Sequence, residues 1–130
     1  MLSATFSIDV DPPRELVRIR MAGFFSIGDI ERFQAELMQA HRRLGCGPSG
    51  GPLTINDISR LAIQDQDVLP RWRSFLADPA HRSRRLAFVV SSALARMQLQ
   101  RTLGDRDARV FTNTIEAETW LLAKDTNVAA

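Results

Sequence analysis

Three short apolar runs, each closed by a polar corner and followed by a helical pattern, constrain this chain more than anything else in it. They are Leu53-Thr54-Ile55-Asn56-Asp57-Ile58-Ser59, Arg85-Leu86-Ala87-Phe88-Val89-Val90-Ser91-Ser92 and Ala108-Arg109-Val110-Phe111-Thr112-Asn113. Parallel strands need a crossover between them and a helix supplies it, so alternating strands and helices build a sheet covered by helices. The pattern predicts an α/β domain. It specifies no chemistry.

The remaining segments fit that plan. Thr5–Val10 and Leu16–Met21 alternate at period two, which sets Phe6, Ile8, Val10, Val17, Ile19 and Met21 on core faces. Asp11-Pro12-Pro13-Arg14 between them marks a hairpin-like turn, because proline cannot donate to a ladder. Ser26-Ile27-Gly28-Asp29 reads as a capped helix start, with Ile30, Phe33, Leu37, Ala40 and Leu44 at helical spacing before Gly45. A third strand is expected over Leu53–Ile58, ending at Asp57 and Ser59. Asp65-Gln66-Asp67 then offers an N-cap to a helix carrying Val68, Leu69, Trp72, Phe75 and Leu76. Leu86–Val90 reads as a strand buried on both faces. Ser91-Ser92 should cap a helix that packs through Leu94, Met97 and Leu103. Asn113–Glu116 outlines a capping box for a last helix burying Ile115, Ala117, Trp120 and Leu121, with fraying from Asp125.

Composition excludes more than it assigns. At 130 residues the chain suits one domain, with its core over about residues 5–123. No apolar run approaches the roughly 18–20 residues that cross a bilayer. Met1-Leu2-Ser3-Ala4-Thr5 has neither the basic region nor the apolar segment of a signal peptide. Cys46 is the single cysteine, so no disulfide can form within the chain, and a cytoplasmic location is expected. The net charge is only +2, and every basic residue but Lys124 is arginine, a bias that a GC-rich bacterial genome would produce unaided.

The candidate chemistries fall away one by one. Gly45-Cys46-Gly47-Pro48-Ser49-Gly50-Gly51-Pro52 resembles a phosphate loop in composition, but it lacks the Gly-Lys-Ser/Thr ending and precedes a strand, so it reads as an exposed connector. Cys46 within it has no His or Lys neighbour to activate it. His41 and His81 have no carboxylate or thiol at a useful spacing, and two histidines with one cysteine make no recognisable metal set. No cofactor and no catalysis are expected. Arg71, Arg73, Arg82, Arg84 and Arg85 flank Trp72 and Phe75, but these aromatics fall on the apolar stripe and the net charge is small, which argues against nucleic acid as a partner.

The order β-β-α-β-α-β-α-β-α, with these lengths, resembles the SpoIIAA-like (STAS-type) family over about residues 5–123. The likeness is carried by Val17–Gly23 into Ser26 and Asp29, by Asn56-Asp57-Ile58-Ser59, by Arg85–Val90 and by Arg109–Thr112 through Glu116–Leu121. It implies a five-stranded, mostly parallel sheet with four helices. It also implies a non-catalytic protein-interaction module rather than an enzyme. In the anti-sigma-factor antagonists of the family, a serine at the helix start after the third strand is phosphorylated. Here that corner reads Ala62-Ile63-Gln64-Asp65-Gln66-Asp67, without the Asp-Ser-Ser-Gly signature, and Ser59 comes too early to replace it.

In such sheets ligands gather at the carboxyl ends of the strands, so Asp57, Ser59, Asp65, Asp67, Ser91, Ser92 and Asn113 are the expected contact residues. Each also has a plainer use as a helix cap. Leu2, Phe24, Phe25, Ile27 and Leu61 are candidate surface apolar residues. One of Phe24 and Phe25 should turn inward and the other line a pocket or a weak homodimer contact; Phe25 joins the expected site residues on that ground. Two functions follow as expectations: a regulatory module for an unidentified protein partner and, as the alternative, a carrier or sensor of an apolar small molecule or lipid.

Overall fold

Strand order in space equals strand order in sequence: one five-stranded sheet runs β1-β2-β3-β4-β5. The computed structural model describes residues 3–46, 50–104 and 106–129, with side chains except at 81 and 124–129. Leu2, the centre of the Gly/Pro connector and Asp105 lie outside the described residues. The elements are β1 (Thr5–Asp11), β2 (Leu16–Gly23), α1 (Ile27–Leu44), β3 (Leu53–Leu61), α2 (Leu69–Ala77), β4 (Arg85–Val89), α3 (Ala93–Leu103), β5 (Arg109–Phe111) and α4 (Thr114–Ala129). Strands β1 and β2 pair antiparallel across the 3-10 turn Pro12–Arg14; all other pairs are parallel. The five-stranded mixed α/β sheet with four helices is the architecture the sequence predicts.

Each crossover moves one strand further in the same direction. Right-handed crossovers taken in one direction put α1, α2 and α3 on one face of the sheet. No strand follows α4, which closes the opposite face instead. Two cores result. The larger joins Val17, Ile19, Met21, Ile30, Phe33, Trp72, Phe75, Phe88 and their neighbours; the smaller sets Ala117 and Leu121 of α4 against Leu16, Leu53, Ile55, Ala87 and Val89. Strand β4 feeds both, Leu86 and Phe88 to one and Ala87 and Val89 to the other.

Helix α1 starts as its sequence requires. Ser26 Oγ accepts from the Asp29 amide at 3.1 Å, and the Asp29 carboxylate accepts from the Ser26 amide at 2.9 Å. Replacing Ser26 with alanine is expected to cost about 1 kcal/mol. The hydrogen bonds from the Ser26 backbone and hydroxyl, with Arg32 adding its charge, hold the Asp29 carboxyl below its ordinary value against a smaller effect of burial. A carboxyl depressed in the folded state adds stability above its unfolded pKa of about 3.9 and loses it as pH falls through the folded value. The difference in urea midpoint between wild type and Ser26→Ala should therefore be largest at neutral pH and shrink, without vanishing, as pH falls through the folded value, because the Ser26 hydroxyl accepts from the Asp29 amide at any pH.

Several local expectations are corrected. Strand β3 continues past Ser59 to Leu61, and its register against β2 slips by one residue: Arg20 faces Asp57 but Ala22 faces Arg60. The extra residue sits where the Asp57 carboxylate accepts from both the amide and the hydroxyl of Ser59, at 3.0 and 2.6 Å, which holds a β-bulge. Helix α2 begins at Leu69, after the 3-10 turn Gln66–Val68, and neither Asp65 nor Asp67 caps it through a side chain. Pro70 explains the delay, since it is accommodated only in the first turn of an α-helix.

Leu94 and Met97 face solvent at 60 and 51 % exposure; of the expected residues Leu103 packs, joined by Ala95, Leu99 and Thr102. Ile115 is also exposed, because Ala117 and Leu121 take the inner face of α4 and Ile115 falls about 200° from Ala117 around the helix. Helix α4 continues beyond Asp125 to Ala129. Cys46 is buried rather than exposed, and its carbonyl accepts from the Gly51 amide. Burial, with Glu15 beside it, pushes the thiol up, which suits an inert structural cysteine.

Candidate functional site

The carboxyl ends of β2, β3, β4 and β5 lie along one edge, as parallel pairing requires, and the polar corners follow them there. Ser59 and Ser91 meet: the Ser91 hydroxyl donates to the Ser59 carbonyl at 2.8 Å, which extends the Asp57–Ser59 cluster onto the end of β4. Ser92 caps α3 by accepting from the Ala95 amide at 3.0 Å. Asn113 accepts from the Glu116 amide at 3.1 Å and so caps α4, the helix of the opposite face. Asp65 and Asp67 are exposed on the turn leading to α2.

Of the aromatic pair, Phe25 turns inward, packed against Phe6 and Trp72 at ring distances of 6.3 and 5.6 Å. Phe24 is the surface member. Phe25 therefore supports this edge from beneath rather than presenting itself to a partner.

Gln64, a residue the sequence did not single out, organises the edge. Its side-chain oxygen accepts from the Phe25 amide at 3.2 Å. Its side-chain nitrogen donates to the carbonyls of Gly23 and Ala62 at 3.2 and 2.7 Å. Its backbone exchanges two hydrogen bonds with the Gln98 side chain, at 2.9 and 3.0 Å. The β2–α1 corner, the β3–α2 connection and α3 are thus tied together. A buried glutamine has no periodic signature, so only composition near the strand end hinted at it.

Two depressions open beside this edge. One, of about 640 Å³, is polar and lined by Ser7, Arg20, Asp57, Ser59 and Arg60 among others. Arg20 and Arg60 are exposed and flank Asp57. The other is apolar, about 70 Å³, and lies between the sheet, α2 and α3, with Ile58, Leu61, Ile63, Trp72 and Leu99 in its walls. Among the described residues no group of three or more His, Cys, Asp or Glu could hold a metal ion, and no helix is long and apolar enough to cross a membrane.

No protein-family profile matches the chain, and no curated protein matches it by sequence. Solved structures do match. An anti-sigma factor antagonist from Mycobacterium paratuberculosis superposes with a TM-score of 0.59 at 11 % identity, over 92 % of this chain and 94 % of its own. An uncharacterized DUF3478-family protein with a SpoIIAA-like fold, from Shewanella loihica PV-4, gives 0.54 at 13 % identity over 93 and 97 %. The anti-sigma factor antagonist SpoIIAA in its unphosphorylated form gives 0.53 at 22 % identity over 86 and 92 %. The chain therefore has the SpoIIAA-like (STAS-type) fold.

Proposed function

We propose that this protein is a regulatory protein–protein interaction module of SpoIIAA-like type, which acts in the cytoplasm by binding and not by catalysis. One observation carries the reading. Phe24, Ile27, Ile63 and Leu94, exposed by 38 to 60 %, follow the ends of β2, β3 and β4 on the edge that also holds Asp57, Ser59, Asp65 and Asp67. Exposed apolar side chains inside a polar rim are the usual composition of a protein contact surface. The likeness to two anti-sigma factor antagonists supports a protein partner. The β3–α2 corner contains no serine, so partner binding here works without phosphorylation at that corner.

A photo-crosslinking residue at Ile63 identifies the partner. Asp65→Lys with Asp67→Lys, and separately Ile63→Asp, should then weaken its binding at least about tenfold, or 1.4 kcal/mol. Arg43→Glu, at the far end of α1, should leave it unchanged. Unchanged affinity in the first two variants would place the contact surface elsewhere. Sedimentation of the free protein tests a homodimer through Phe24, which Phe24→Ser would dissociate.

A further inference from the structure

We propose that the outer edge of β1 is a dimerisation surface, where Thr5–Asp11 pairs antiparallel with the same strand of a second copy of this chain about a two-fold axis at Ile8. Strand β1 ends the sheet and is seven residues long. Its backbone pairs with β2 on one side, and among the described residues Thr5–Asp11 makes no other backbone hydrogen bond. Such a row of unpaired amides and carbonyls is a template for another strand, and proteins blunt it with a short strand, proline, lysine, a bulge or a covering element. The opposite end strand, β5, is blunted, with only three residues and Arg109 among them. Strand β1 contains no proline, glycine or lysine, and its register against β2 is unbroken.

The side chains select the occupant. In an antiparallel pair about Ile8, Phe6 faces Val10 of the second copy, Ser7 faces Asp9 and Thr5 faces Asp11. Each carboxylate meets a hydroxyl, and none meets another carboxylate. Asp9 is exposed, with no hydrogen bond or ion pair among the described residues, so its carboxylate is open to the Ser7 hydroxyl. Sliding the strands by two residues one way sets Asp9 against Asp9. Sliding them the other way carries Val10 and Asp11 past the end of the facing strand. Phe6, Ile8 and Val10 are half-buried against the larger core, and their open flanks would meet across the axis. Alternate facing pairs exchange two hydrogen bonds each, so the contact supplies about six to eight. An interface of this size suits a reversible dimer. The axis stands normal to the sheet, so the carboxyl-end edges of the two copies point in opposite directions and both stay open. The pairing does not depend on the partner reading.

Analytical ultracentrifugation of the whole chain is expected to show a monomer–dimer equilibrium in the micromolar range. Ser7→Asp, which sets like charges opposite one another twice, should weaken the dimer about tenfold, and Ser7→Arg should tighten it by a similar factor. Ser7 is exposed, so neither change should disturb the monomer. Facing residues have Cα atoms about 4.5–5.5 Å apart, within the range a disulfide spans. In a Cys46→Ser background, which removes the single native thiol, Ile8→Cys should form a covalent dimer with oxidised glutathione and Asp9→Cys should not. A monomer at every concentration, or a dimer that Phe24→Ser dissociates and the Ser7 variants leave alone, would overturn the proposal. So would equal cross-linking from both introduced thiols, or β1 amides that gain protection from exchange only when a different protein is bound. Where Ile8→Cys does not fold, the Ser7 variants decide.

Discussion

Phe33→Ala is expected to remove about 3–5 kcal/mol of stability, measured as a fall in the urea midpoint followed by tryptophan fluorescence. Phe33 is fully buried, and its ring meets those of Phe6, Phe75 and Trp72 at 5.4, 5.5 and 6.0 Å, mostly edge to face. It is the hub that joins β1, α1 and α2. Truncating it removes the transfer energy of the ring and leaves a cavity that its neighbours, each fixed by another aromatic contact, cannot refill. Domains of this kind have about 5–15 kcal/mol in total, so the loss would bring the variant close to unfolding. Ile115→Ala is the matched control. With its side chain 76 % exposed, it should change the midpoint by no more than about 0.5 kcal/mol. A Phe33 effect as small as that would mean the aromatic cluster contributes little.

Gly51→Ala should be nearly as severe for a different reason. Gly51 has φ +98°, a region that side chains disfavour, and a Cβ there would collide with the carbonyl oxygen of Arg82. Neither group can move freely. The Gly51 amide donates to the Cys46 carbonyl, its carbonyl accepts from Arg84 at 2.6 Å, and the Arg84 amide donates to Pro52. The expected loss is about 3 kcal/mol or more. Gly45→Ala separates the two contributions. Gly45 also has positive φ, at +62°, but nothing lies within 4 Å of its missing Cβ, so only the backbone preference of about 1 kcal/mol should appear. Similar midpoints for the two variants would show that the Arg82 contact relaxes.

The fold was legible because it depends on local patterns that repeat. Period-two alternation placed Val17, Ile19 and Met21 inside, and the Ser26–Asp29 spacing located the start of α1. The unbroken apolar run of β4 signalled burial on both faces. What escaped was decided by tertiary contact. Leu94 and Met97 look like core residues on an isolated helix, yet α3 meets the sheet through Ala95, Leu99 and Leu103, a choice that tertiary packing makes. The bulge at Asp57–Ser59 is a property of two strands and cannot be seen in one. The polar corners of the candidate site were visible as helix caps, and Ser92 and Asn113 do cap. Asp57 instead spends its carboxylate on Ser59 within β3, and Ser91 its hydroxyl on a bond across to the Ser59 carbonyl. Arg20 and Arg60 looked like ordinary solvent-facing residues, because their nearness to Asp57 exists only once β2 and β3 pair.

The matching of strand order to chain order also bears on how the molecule comes into being. Every strand pairs with the one made just before it, so no later segment has to be inserted between strands already joined. A chain emerging from the ribosome can close the β1–β2 hairpin first and then add one crossover at a time, each over a modest loop. Only the last helix breaks this progression. Until α4 has been synthesised, Leu16, Leu53, Ile55, Ala87 and Val89 form an uncovered apolar sheet face, and nascent chains are most prone to aggregate or to engage a chaperone in that interval.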